Sequence, residues 1–245
     1  MSPTGPVSIE RSIWFREDSE IERDLAFIYD EFKAGFELVE QIQRPGVSIF
    51  GSARLPPTHA WYADAREVGR GFAREGMAVI TGGGPGIMEA ANRGCQEAHG
   101  LSIGLGIVLP HEQKINDYCD MDYTFKHFYA RKVCFVKAAE GFVTFPGGFG
   151  TNDELFEALL LIQTGKIKHF PVVLFGSEHW MPMLRWLEDT MIPEGFIAHE
   201  DLERLVITDD PAAAVRAVVM CSRRECHHTD HGLEAPSGSM TPLND

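Results

Sequence analysis

The sequence predicts an α/β protein in three layers, a parallel sheet with helices on both faces, preceded by one additional N-terminal helix. Three observations carry this expectation. Strand-like runs are continuously apolar and rich in Val and Ile, as strands buried on both faces are. They alternate with segments of helical period. Stretches of small residues fall at the ends of the strand-like runs, where ligands bind in such sheets.

The elements follow in order. Residues 1–19 are irregular in pattern. From Glu20 to Gln43 the apolar positions Ile21, Leu25, Ile28, Phe32, Phe36, Leu38 and Val39 recur mostly every three or four residues, which predicts an amphipathic helix. It covers a sheet edge or helps to form an oligomer, or it packs on its own domain. Val47 to Ser52 reads as a buried strand and 60–75 as a helix. Met77 to Thr81 is a second strand, running into Gly82-Gly83-Gly84-Pro85-Gly86. A helix over 86–99 and a strand from Leu101 to Leu109 come next, then a loop from Pro110 to about Asp122. Residues 129–140 read as a helix, Gly141 to Phe145 as a strand, and Thr151 to Gly165 as a helix. Phe170 to Phe175 is a strand, 180–191 a helix, Leu205 to Thr208 a strand and 211–220 the last helix. The tail from Ser222 is polar, without apolar period, and reads as disordered. Right-handed crossovers place every strand's C-terminal end on one edge. Gly51-Ser52, the Gly82–Gly86 run, Glu112 and Gly147–Thr151 then meet at one rim.

Composition narrows the function. Of the 245 residues 44% are hydrophobic and 24% charged, ordinary values for a globular protein. No apolar run is long enough to span a bilayer, and Met1 to Glu10 lacks the pattern of a secretory leader. A cytoplasmic protein without membrane association is expected. Cys95, Cys119, Cys134, Cys221 and Cys226 are odd in number and show no C-x-x-C spacing, so reduced thiols are expected. A net charge of −14 repels nucleic acid. Small anions remain possible, because backbone N–H groups can hold a phosphate against the overall field.

The most telling segment is Pro146-Gly147-Gly148-Phe149-Gly150-Thr151-Asn152-Asp153-Glu154, between a strand and a helix. Three glycines leave the backbone open to close approach. Thr151 stands as an N-cap, and Glu154 three residues on completes a capping-box spacing. The free N–H groups of the first turn and the helix dipole favour an anion. Glu154 reads equally as a cap or as a catalyst. The Gly82–Gly86 run, with Gly83 and Gly84 at its centre, also opens a helix, but it matches neither the dinucleotide fingerprint nor the P-loop. Arg131-Lys132 are two cations opening a helix, an arrangement its dipole disfavours, which points to function. Glu112 is a carboxylate on the loop after a strand. The tail residues Cys226, His227, His228 and His231 lack a structured frame for a metal, and no metal site is expected.

In combination, Gly82-Gly83-Gly84 with Gly86-Ile87-Met88, then Arg131-Lys132, then Pro146-Gly147-Gly148-x-Gly150-Thr151-x-x-Glu154 resemble the LOG family. These are cytokinin-activating phosphoribohydrolases once described as lysine decarboxylases. The likeness spans Val47 to Val219, and the long N-terminal helix resembles the larger bacterial subgroup. It implies a Rossmann-like nucleotide-binding domain over 46–221, after an N-terminal extension over 1–45 and before a tail over 222–245. It also implies hydrolysis of the N-glycosidic bond of a nucleoside 5′-monophosphate such as AMP, without cofactor or metal. Arg131 and Glu154 would be the catalytic pair, and the segment from Gly148 through Asn152 and Asp153 to Glu154 would hold the nucleotide. Lys132 and Glu112 would be further contacts, and Gly51, Ser52, Gly83 and Gly84 would complete the rim. Plant members carry Glu at Asp153 and Thr at Leu160. The family implies a homo-oligomer, a dimer or larger. The rival reading is a non-catalytic nucleotide carrier on the same fold. An amino-acid decarboxylase is disfavoured, since no pyridoxal-phosphate lysine motif is apparent.

Overall fold

The computed structural model describes residues 18–109, 114–167 and 170–223. Glu112 and the Cys226–His231 cluster lie outside the described residues.

Among the described residues, one seven-stranded, all-parallel sheet organises the fold, in the order β4-β3-β2-β1-β5-β6-β7. Its strands are β1 (Gly46–Phe50), β2 (Ala78–Thr81), β3 (Ser102–Ile107), β4 (Met121–Phe125), β5 (Phe142–Thr144), β6 (Val172–Phe175) and β7 (Leu205–Thr208). The helices are α1 (Asp18–Glu40), α2 (Ala60–Arg74), α3 (Ile87–Glu97), α4 (Phe128–Ala138), α5 (Phe149–Gln163), α6 (Ser177–Trp186), α7 (His199–Leu202) and α8 (Pro211–Ser222). The chain builds outward from β1 to β4, then returns to place β5 on the other side of β1. That reversal between β1 and β5 opens a crevice at the strands' C-terminal ends, the usual ligand position in such sheets.

Two cores flank the sheet. Val47, Ile49, Val79, Val143 and Val173 face α2, α3 and α8, packing with Val68, Phe72, Ala90 and Val218. Phe50, Ile80, Phe142 and Leu174 face the other way, towards Phe135, Leu155, Ala158 and Trp180 of α4, α5 and α6. Successive side chains of one strand thus serve opposite cores, which is why the strands read as unbroken apolar runs. No helix among the described residues is long and apolar enough to cross a membrane.

Two local expectations are corrected. The loop ending at about Asp122 in fact runs into the edge strand β4 at Met121, whose residues alternate between half-buried and exposed until Phe125. Two aspartates flanking Met121 hide that alternation in the sequence. The helix over 180–191 starts earlier, at Ser177, and ends in a π-helical turn over Leu187–Met191. The short α7 has too few residues to show a period. The N-terminal helix packs on its own domain, against α4 and the edge strand β4, while Ile21, Leu25 and Tyr29 of its first half stay exposed.

Helices α2 and α3 meet backbone to backbone. A Cβ at Gly94 would stand 1.8 Å from the Arg66 carbonyl oxygen, and one at Gly69 would stand 2.1 Å from that of Ala91. Neither atom can yield without parting the helices. Gly94→Ala is expected to lower unfolding stability by about 1–3 kcal/mol, measured as a lower urea midpoint with an unchanged slope. A variant with the wild-type midpoint would contradict the close contact.

Candidate active site

The crevice between β1 and β5 is built by short hydrogen bonds between loops. Phe145 N–H donates to the Phe50 carbonyl at 2.8 Å, and Ser52 N–H to that of Pro146 at 3.0 Å. The Ser52 carbonyl accepts Ile87 N–H at 3.1 Å, so Gly51-Ser52 ties the Pro146 loop to the start of α3.

The segment Gly147–Glu154 does not cap as its spacing implies. The N-cap of α5 is Gly148, in extended conformation and without a side-chain cap. Thr151 therefore lies inside the first turn, and Glu154 is buried within the helix, not folded back as a capping-box partner. The cause is Gly147: a Cβ there would stand 2.1 Å from Thr151 Oγ1, so its absence lets the chain turn three residues early. The helix settles with Asn152 N–H on the Gly148 carbonyl at 3.0 Å. The N–H groups of Phe149, Gly150 and Thr151 open this helix, and such groups have no partner within it. A Cβ at Gly148 or Gly150 would meet nothing within 4 Å, so the approach is clear. Phe149 is 97% exposed at the mouth.

Arg131 and Glu154 come together from α4 and α5. The Arg131 guanidinium is largely buried, and its Nε donates to the Leu105 carbonyl at 2.7 Å. It stacks over the Phe135 ring, 5.0 Å from the centroid. Burial lowers it to about 10 against the opposing charge of Glu154. Burial pushes the Glu154 carboxyl up to about 7, with Arg131 and Lys132 holding it down and Glu157 and Asp153 adding to the rise. Such shifts mark candidate catalytic groups.

Lys132 is tied to α5 by ion pairs with Asp153 at 2.9 Å and Glu157 at 2.8 Å. Burial alone would lower its ammonium, but hydrogen bonds with Glu157 and Asp153 and the Glu154 charge turn the net shift upward. Asn152 donates its side-chain amide to the Gly148 carbonyl at 3.0 Å.

Several contributors escape sequence reading. Gly82 makes room for Arg131: a Cβ there would be 2.4 Å from a terminal guanidinium nitrogen. Behind it lies a buried polar network. Asn92 Oδ1 accepts from Thr81 Oγ1 at 2.5 Å and from the Asn116 amide at 3.0 Å. Its own amide donates to Ser102 Oγ at 2.8 Å. Thr81 Oγ1 accepts Gly83 N–H at 2.9 Å, and Asn116 holds the carbonyls of Gly83 at 2.8 Å and Gly84 at 3.2 Å. Gly83 and Gly84 are thus locked by their own polar groups. An Asn on an apolar helix face was the available sign, since buried amides need several partners.

The native Glu154 carboxyl takes up its proton near pH 7 and the unfolded one near 4.5. Between those values the native state binds more protons, so this group's stability contribution is full below the window and lost as pH rises through it. The whole window corresponds to on the order of 3 kcal/mol. Urea unfolding at pH 5 and pH 8 is expected to show Glu154→Gln gaining on the wild type across that interval. An interval-independent difference would contradict the raised value.

Comparison with known proteins agrees with this architecture. A family model described as "Possible lysine decarboxylase" matches residues 88–218. A cytokinin riboside 5′-monophosphate phosphoribohydrolase of Rhodococcoides fascians is 27% identical over 179 residues, covering 70% of this chain and 88% of that protein. A pyrimidine/purine nucleotide 5′-monophosphate nucleosidase of Escherichia coli K12 is 30% identical over 174 residues, covering 63% of this chain and 36% of that protein. In fold, the Moco carrier protein of Chlamydomonas reinhardtii superposes with a TM-score of 0.54 at 24% identity, covering 74% of this chain and 99% of that one. With the family match taking in more than half of its length, the chain belongs to the LOG family, whose model still carries the lysine decarboxylase description.

Proposed function

We propose that this chain hydrolyses the N-glycosidic bond of a nucleoside 5′-monophosphate, AMP or an N6-substituted relative, to free base and ribose 5-phosphate. The observation that carries the reading is a buried carboxyl, raised to about 7 and interacting with the charge of a largely buried guanidinium, next to an open glycine-rich helix start. The names of the relatives support the same class of reaction.

In this reading the N–H groups of Phe149, Gly150 and Thr151 receive the 5′-phosphate, the charge such a helix start favours. The sugar then lies towards Glu154. Breaking the C1′–N bond sends its electron pair to the base and leaves positive charge on the ribose. The Glu154 carboxylate stabilises that charge and takes the proton of the water that attacks C1′, while the departing base takes up a proton from solvent and so leaves as the neutral free base. Arg131, with Nε engaged by Leu105, offers its terminal nitrogens to the nucleotide and keeps Glu154 ionisable near neutrality. Lys132 orients α4 against α5 through Asp153 and Glu157. Its raised ammonium is the wrong poise for a Schiff-base lysine, which needs a lowered one, so decarboxylation gains nothing from the site.

A homo-oligomer is part of the proposal. Phe149, Phe156 and Leu160 form an exposed apolar stripe down α5, with Phe128, Tyr129 and Val133 exposed on neighbouring α4. A second copy would cover this surface, and light scattering is expected to give a dimer or larger.

Chromatography of products from a panel of nucleoside monophosphates is expected to show free base from AMP. Glu154→Gln and Arg131→Ala are expected to lose at least about a thousandfold in turnover, with far-ultraviolet circular dichroism unchanged. Because the carboxylate form is the active one, kcat/KM should rise with pH through about 7 and then level. An active Glu154→Gln protein would overturn the mechanism. AMP binding without base release would identify a carrier.

A further inference from the structure

Helix α4 begins unfavourably. It has no side-chain cap and no acidic residue in its first turn, and it carries Arg131 as its fourth residue and Lys132 directly after. Its missing negative charge comes from another helix. Glu31 of α1 is 3% exposed and lies against the α4 start. One carboxylate oxygen accepts the Lys126 N–H, and the other pairs with Nδ1 of His127, the α4 N-cap. The His127 carbonyl in turn accepts the Arg131 N–H at 3.4 Å.

Rings lock the same junction. Phe27 meets His127 edge-on at 5.7 Å, His127 stacks on Tyr129 at 5.0 Å, and Tyr129 stacks on Phe32 at 6.3 Å. Gly35 lets α1 approach closely, because a Cβ there would stand 2.6 Å from Cys134 Sγ. Helix α1 is therefore fitted to α4, although it lies outside the span of the family match, residues 88–218.

We propose that Glu31 is a positioning residue for Arg131. Its buried carboxylate fixes the N-cap of α4 and offsets the positive end of that helix, so that the Arg131 side chain meets the Leu105 carbonyl and acts on the Glu154 charge in one geometry. A negative charge at this end of a helix is stabilising, and a buried, hydrogen-bonded carboxylate holds its partners tightly. The inference rests on the hydrolase reading only in assigning Arg131 to the nucleotide.

The test is a double-mutant cycle in kcat/KM for AMP, with Glu31→Ala and Arg131→Lys, run well below the melting temperature of each protein. Glu31→Ala is expected to reduce kcat/KM about tenfold in the wild-type background, the scale of one lost charge-assisted hydrogen bond. It should have less than a twofold effect in the Arg131→Lys background, since residues acting as a unit are not additive. Equal effects in both backgrounds, or a lower melting temperature with wild-type kcat/KM, would show Glu31 to be merely structural and overturn the proposal. Should Glu31→Ala fail to fold, Glu31→Gln takes its place, keeping the shape and one acceptor but not the charge. A wild-type chain without turnover sinks the hydrolase reading. The cycle is then read in AMP affinity by calorimetry, where additive losses, or no binding at all, overturn the positioning role by themselves.

Discussion

The site depends on one interaction, the attraction between Arg131 and Glu154 across the seam between α4 and α5. Burial acts against the charged form of each, lowering one and raising the other. Each is the other's main compensation. An isolated buried ion would be too unfavourable to persist, so the two must stay close or neutralise. The surrounding structure follows from that need. Leu105 supplies a carbonyl to the guanidinium, Phe135 a ring face, and Gly82 the space in which it sits.

The pair is kept in place by polar groups around it. On one side, Asn92 and Asn116 hold Gly83 and Gly84, the residues that follow Gly82 in the loop against Arg131. On the other, Lys132 bridges α4 to α5 through two carboxylates, and Glu31 grips the start of α4. Satisfied buried networks of this kind specify a single arrangement, because any alternative leaves a polar group without a partner. The open start of α5 is the exception, with clear space at Gly148 and Gly150. A rigid frame around an open helix end suits a reaction in which one bond must be held against one carboxylate.

How far the sequence could be read varied with the kind of interaction. The strands of the central sheet were legible because burial on both faces makes them continuously apolar. The edge strand β4 was not, since one exposed face and neighbouring aspartates blur its pattern. The glycine-rich segment was legible as an anion site, but its register was not. Thr151 and Glu154 have the spacing of a capping box, and the contact between Gly147 and Thr151 shifts the helix start to Gly148. That contact is a matter of three-dimensional fit and leaves no mark in a spacing rule.

By itself, the sequence determined the α/β class, the order of the central strands and the helices between them, and the presence of Arg131, Glu154 and the glycine loops. Those depend on local period and on residue type, which the chain carries wherever it goes. The tertiary structure alone decided that Glu154 is buried and raised, that Lys132 is held by carboxylates, and that α1 reaches across to the start of α4. Those properties arise between residues distant along the chain, as Glu31 and His127 are. They come into being only when folding removes water and sets such groups side by side.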